Sequence, residues 1–242
     1  MFTEDHFSWA HLLNTAQDSS YHGLFLSLTA YAFGLLLKKK IKADLFNPLL
    51  FAILVVMACL YLTHADFDRY YDSSQVLPYL LTPATICLAV PLYRQMELLK
   101  KHCVAILVGI SAGVLSNALS ILLLSLFFGL KRGEYVTLLP KSVTIAIGLG
   151  ISEELGGVGA ITVAAIIFTG LFGNIAGPKL CEWFGVREPI AVGLAMGTSS
   201  HAIGTAKALE LGEVEGAMSA LAIVLTGLLT VAGAPFFVAL MK

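Results

Sequence analysis

Seven stretches of this chain run 18 residues or more without an Asp, Glu, Lys or Arg: Ser19–Leu37, Leu45–Ala65, Ser73–Tyr93, Cys103–Leu130, Leu155–Pro178, Pro189–Ala206 and Gly216–Met241. A helix that crosses the hydrocarbon layer needs about 20 predominantly apolar residues, so each stretch is long enough to be a membrane segment. An eighth, Ser142–Ser152, is too short to cross alone. Irregular backbone cannot face lipid, so this segment must be tilted into its flanks, or form a broken or re-entrant helix buried against its neighbours. Composition agrees: 57% of residues are hydrophobic, 13% are charged and the mean hydropathy is +0.84, far from a soluble domain of this length.

The expected fold is therefore all-α: a polytopic transmembrane bundle of 7–8 helical segments, with broken or re-entrant helices among them. Residues 1–20 are expected to form an extracytoplasmic N-terminal segment and residues 21–242 a single transmembrane domain. The opening MFTEDHFSWAHLLNTAQDSS is acidic and lacks the basic start of a signal peptide. Lys38, Lys39, Lys40 and Lys42 crowd the first connection and Arg94, Lys100 and Lys101 the third, whereas the second is acid-rich. The positive-inside rule then puts the first and third loops in the cytoplasm and the N-terminus outside.

Sliding the chain against itself by 57 residues brings Pro83 onto Pro140, Glu97 onto Glu154, Gly113 onto Gly170 and Asn117 onto Asn174. The same shift carries Ser142 onto Ser199, Thr169 and Gly170 onto Thr226 and Gly227, and Pro178 onto Pro235. One ungapped offset that works twice points to a duplicated helix pair, either parallel or inverted, and internal repeats are common in transporters. The GxxxG pairs Gly109/Gly113, Gly173/Gly177 and Gly193/Gly197 read as sites of close helix packing.

Two polar clusters stand at equivalent places in the repeat. The first runs Pro140, Lys141, Ser142, Val143, Thr144 and on to Ser152, Glu153 and Glu154; the second is the run from Gly197 through Thr198, Ser199, Ser200 and His201 to Lys207. Burying such groups at membrane depth is costly unless they line a cavity or find partners. Glycine lets a helix unwind, and freed N–H groups, hydroxyls and a cation can cradle a small carboxylate. Lys141, Ser142, Thr144, Thr198, Ser199, Ser200, His201 and Asn174 are accordingly assigned to anion binding, and Glu153, Glu154 and His201 to proton coupling. The plainer alternatives are that Lys141 snorkels to the headgroups, that the two glutamates solvate a helix end, and that His201 is a hydrogen-bonded packing residue whose hydroxyl neighbours bond back one turn.

Other chemistry is poorly served. A net charge of −1 gives no basis for nucleic-acid binding. Cys59, Cys87, Cys103 and Cys181 form no CxxC pair and read as small buried hydrophobes, so no metal or cofactor is expected. There is no HExxH motif, and Ser199 and Ser200 sit beside His201 without a GxSxG elbow, so no catalytic residues are assigned and the chain is not expected to be an enzyme.

The runs LLPKSVTIAI, ISEELGG, FTGLFGNIAGP, GLAMGTSSHAIGTAKALELGEVEGAMSALA and TGLL together resemble the LrgB/CidB family, most densely between Pro140 and Pro235. The resemblance implies a multi-pass protein of the bacterial cytoplasmic membrane that works with a small LrgA-like membrane partner; a homo-oligomer is a further option that the sequence leaves open. It also implies one of two roles: transport or export of small monocarboxylates of the pyruvate, glycolate and lactate class, or holin-like and antiholin-like control of murein hydrolase activity and autolysis. The costly polar clusters favour the carrier, because a holin-like pore-former needs only apolar length.

Overall fold

A computed structural model describes residues 19–41, 46–87 and 89–241. Almost all of the expected N-terminal segment, and Lys42 of the first basic loop, lie outside the described residues. The described residues are all-helical, and the chain divides into two compact units, residues 1–86 and 87–242.

In the first unit, α1 (His22–Ile41), α2 (Pro48–Thr63) and α3 (Phe67–Ser73) pack through small residues. Asn47 starts α2, its Oδ1 accepting from the backbone N–H groups of Leu49 and Leu50 at 2.8 and 3.2 Å, with Pro48 at the first helical position. Gly34 lets α1 lie against this start, since a Cβ there would sit 2.9 Å from the Pro48 carbonyl oxygen. Nearer the start of α1, the Gly23 N–H donates to Ser73 Oγ at 2.8 Å and Ser27 Oγ meets Tyr70 OH at 2.8 Å. α4 (Val76–Cys87) runs across the boundary between units.

The second unit begins with two short helices, α5 (Ala89–Arg94) and α6 (Met96–Lys101), followed by α7 (Cys103–Phe128), α8 (Arg132–Leu138), α9 (Ile145–Glu154), α10 (Gly159–Trp183), α11 (Pro189–Leu211) and α12 (Glu213–Leu240). Among the described residues, α7, α10 and α12 are the three helices long and apolar enough to cross a membrane. At 1.5 Å per residue each reaches well beyond the roughly 30 Å hydrocarbon layer. Two of these ends are set by a left-handed glycine: Gly129 (φ 64°) closes α7, with the Leu130 N–H donating back to the Ser125 carbonyl, and Gly185 (φ 74°) follows α10.

Between the long helices the chain twice folds back on itself. α8 rises only to Leu138, turns through 139–144, and returns as α9. The two legs lie side by side: the Val158 N–H donates to Thr137 Oγ1 at 2.9 Å, and a Cβ on Gly148 would sit 3.2 Å from the Pro140 carbonyl oxygen. The second reversal lies inside α11. His201 has φ 42° and ψ −139°, and a Cβ on Gly204 would sit 2.6 Å from the Met196 carbonyl oxygen. In a straight helix these residues would be about 12 Å apart, so α11 is two half-helices joined tip to tip. The stretch Pro189–Ala206, long enough in sequence for one crossing, is therefore a re-entrant hairpin.

Glycine spacing fixes directions. Gly109 faces Leu194 and Gly113 faces Thr198, so the first half of α11 runs parallel to α7; Gly193 faces Met218 and Gly197 faces Ala222, so it also runs parallel to α12. Gly177 faces Met196 and Gly170 faces His201, so α10 runs antiparallel. All three GxxxG pairs are thus close helix contacts, as their sequence suggests, and they let the first half of α11 sit among the three long helices. The first hairpin starts just after α7 ends, and so enters from the opposite end to the second.

Apolar packing follows the same division. Tyr135, Val136 and Leu139 of the first hairpin are buried with Ala118, Ile121, Leu122, Phe237 and Val238, while Leu194 of the second is buried with Ile106, Ile110, Val114, Ala217 and Met218. Outward faces remain apolar and exposed, with Leu115, Leu119, Leu123 and Phe127 on α7 and Phe168 and Phe172 on α10, as helix surfaces in contact with lipid require.

Candidate functional site

A cavity of about 920 Å³ lies between α7, α10 and the first half of α11. Its mouth is formed by His102 at the start of α7, Cys181 near the end of α10 and Glu188 just before α11. Along α7 it passes Gly109 and Gly113 to Ser116, Asn117 and Ser120; along α11 it passes Leu194 to Thr198 and Ser199. From His102 to Asn117 is about 22 Å of helix, and from Glu188 to Ser199 about 16 Å, so the cavity runs from one end of the unit to its middle. There it meets Lys141, which belongs to the tip of the other hairpin.

Lys141 is half-buried and donates from Nζ to Ser142 Oγ at 3.2 Å; Ser142, buried, donates in turn to Asn117 Oδ1, also at 3.2 Å. Among the described residues no carboxylate pairs with Lys141. Thr198 is 8% exposed and its hydroxyl is buried without a hydrogen-bond partner. An orphaned buried hydroxyl costs about 1–3 kcal/mol, which makes this one conspicuous beside a cavity. Ser199 donates back to the Ala195 carbonyl at 2.7 Å and meets Ser200 Oγ at 2.9 Å.

The assigned residues thus fall into two groups. Lys141, Thr198 and Ser199 line the cavity, and Ser142 is bonded to two residues that do. The others are not among the lining residues. Thr144 ends the tip of the first hairpin as the residue before α9. Ser200 is buried against α10, where a Cβ on Gly173 would collide with it. His201, 3% exposed, has Nε2 3.0 Å from the Ile166 carbonyl oxygen; a carbonyl only accepts, so this nitrogen carries a proton. Asn174 donates from Nδ2 to the Ile203 carbonyl at 2.8 Å, holding the tip of the second hairpin as Asn117 holds that of the first. Glu153 and Glu154 are exposed at the end of α9, about 14 Å of helix from the tip.

The cysteines correct one expectation. Cys87 and Cys103 are exposed and Cys59 and Cys181 half-buried, so none is a core residue; Cys181 lines the mouth. Lipid-facing surface accepts an apolar thiol as readily as a core does, which composition alone cannot distinguish. Among the described residues no three His, Cys, Asp or Glu side chains are grouped to hold a metal. The feature that sequence reading treated only as a repeat marker is Asn117, an amide in the middle of a 28-residue uncharged stretch.

The LrgB-like family profile matches residues 27–240, the whole second unit but its end and most of the first. The chain belongs to the LrgB-like family. Antiholin-like protein LrgB from Bacillus cereus (strain B4264), from B. cereus (strain AH187) and from Bacillus anthracis (strain CDC 684 / NRRL 3495) are each 38% identical over 218 residues, covering 90% of this chain and 95% of theirs. No solved structure matches it. With family membership and three helices able to span a bilayer, this LrgB-like chain is a membrane protein.

Proposed function

We propose that this LrgB-like protein carries small monocarboxylates of the pyruvate, glycolate and lactate class across the bacterial cytoplasmic membrane. The observation that carries the reading is Lys141: a cation without a carboxylate partner among the described residues, in a cavity that Thr198, with its orphaned hydroxyl, also lines. A carboxylate at Lys141 would receive a charge-assisted bond, and a turn about χ1 of Thr198 would offer it a second donor. The mouth opens beside Lys100 and Lys101, the end that the positive-inside rule assigns to the cytoplasm.

The 57-residue repeat supports a carrier over a fixed pore. Arg132–Glu154, containing the first hairpin, is displaced by 57 onto Pro189–Leu211, the second, and the last residue of α10 falls on the last of α12. On this reading the two stretches are inverted copies, which the opposite entry of the two hairpins supports, the arrangement in which one half rocks against the other to expose a midplane site alternately to each face. No catalytic chemistry is assigned, and an LrgA-like small membrane protein is the expected partner. The relatives' name, antiholin-like protein LrgB, favours a second reading, antiholin-like control of murein hydrolases, and the two need not exclude each other.

The test is uptake of labelled pyruvate, glycolate and lactate into proteoliposomes, with and without the LrgA-like partner. Saturable uptake supports the carrier. Its absence under a proton gradient, together with partner-dependent changes in autolysis, favours the regulatory role.

A further inference from the structure

We propose that Asn117 is a ligand-contacting residue of this cavity, its side-chain amide held by Lys141 and Ser142 so that Nδ2 donates a hydrogen bond to the bound carboxylate. The inference rests on the carrier reading above and adds a residue and a role to it.

The argument is one of proton direction. A Lys141 ammonium can only donate, so in the 3.2 Å contact the Ser142 oxygen must accept. The Ser142 proton is then free for its other partner, Asn117 Oδ1, at 3.2 Å. An amide whose oxygen is committed in this way has its NH₂ turned to the opposite side, where it can only donate. Asn117 lines the cavity, one helical turn beyond Gly113, and Gly113 is where Thr198 packs. The chain from Lys141 through Ser142 to Asn117 therefore links two residues that line the cavity and leaves each a donor, Nζ and Nδ2, for a bound carboxylate. Cooperative polarisation strengthens such a chain, because the charge on Lys141 pulls on the Ser142 oxygen and so sharpens its donation to the amide.

Asn117 has a second neighbour. It also borders a separate void of about 10 Å³ with Leu139, Thr230 and Gly233, between α7, the first hairpin and α12. That is close to the least volume that holds one water. The amide thus stands in the partition between the cavity and the inside of the bundle.

The experiment is uptake of labelled pyruvate by proteoliposomes containing the full chain or its Asn117→Ala and Asn117→Asp variants, with thermal unfolding of each in detergent. Asn117→Asp keeps an acceptor for Ser142 but removes the donor and sets a negative charge where the carboxylate must sit. Its unfolding temperature should match the wild type while uptake falls by tenfold or more at low pyruvate. Asn117→Ala should raise KM by about tenfold, the loss of one bond to a charged group, with the maximal rate within about twofold. An unchanged KM in both variants, or a fall in maximal rate and unfolding temperature with KM unmoved, would reduce Asn117 to a support for the tip and overturn the proposal while leaving the carrier reading intact. Wild-type protein that takes up no pyruvate, glycolate or lactate would overturn both.

Discussion

Replacing Thr198 by Val should make this protein more stable and a poorer binder at once. The two side chains are nearly the same shape, and the hydroxyl removed is buried without a partner in a residue 8% exposed. Such an orphan costs the folded state about 1–3 kcal/mol, so its removal should return about 1 kcal/mol after allowance for local relaxation. For a chain of this length that is about 2–4 °C in Tm. If a bound carboxylate draws on the same hydroxyl, the variant also loses one hydrogen bond to a charged group, about 1.5 kcal/mol or tenfold in Kd. Thr226 supplies the control: its hydroxyl is equally buried and unpartnered, at 2% exposure, but it does not line the cavity. Thr226→Val should raise Tm alone. Both quantities come from thermal unfolding of purified protein in detergent over a pyruvate titration. A lower Tm for Thr198→Val would mean that the hydroxyl is partnered, and an unchanged pyruvate affinity would remove it from the site.

Other substitutions probe the same geometry. Lys141→Met, which keeps length and apolarity, should weaken pyruvate binding about 10- to 100-fold in uptake assays without loss of membrane insertion, whereas Lys141→Arg should retain part of it. A Cβ at Gly197 would sit 2.8 Å from Ser219 Cα and Ala222 Cβ, with no flexible side chain to yield, so Gly197→Ala should cost about 1–3 kcal/mol of stability. Gly150→Ala, at a helical position with open space around it, should instead gain about 0.5–1 kcal/mol, and equal effects in the same unfolding assay would contradict the packing described for α11. A single cysteine placed at Ser199 should react with a membrane-impermeant maleimide from the side bearing Lys100 and Lys101 only, and labelling from the other side would refute entry to the cavity from the lysine-bearing end.

What could be read from the sequence was governed by length and by polarity. The uncharged run between Lys141 and Glu153 is too short to cross a membrane, and this was enough to expect the broken segment that the first hairpin provides. The glycine pairs announced close packing because a missing Cβ has few other uses at membrane depth. The second hairpin was illegible for the same reason that the first was not: Pro189–Ala206 is long enough for a span, and its reversal falls at His201, a residue that seldom adopts positive φ. Once the chain turns there, His201 is drawn into contact with the Ile166 carbonyl on α10 and away from the cavity lining, so neighbours in sequence part company in space. The direction of the proposed repeat was also hidden, since an offset has the same value whether two copies are parallel or inverted.

The reversal at His201 also bears on how the protein is made. Two half-helices that meet in mid-membrane expose loose N–H and C=O groups at their tips, which lipid cannot satisfy. Here the tip is held by Asn174 on α10, and the Thr205 hydroxyl by Ser219 on α12, a helix that leaves the ribosome only after both legs have been synthesised. A nascent chain halted at Leu211 would have half of this support in place, so burial of the second hairpin belongs to the final stage of biogenesis, and shortening α12 would strand a segment that is elsewhere apolar enough to insert.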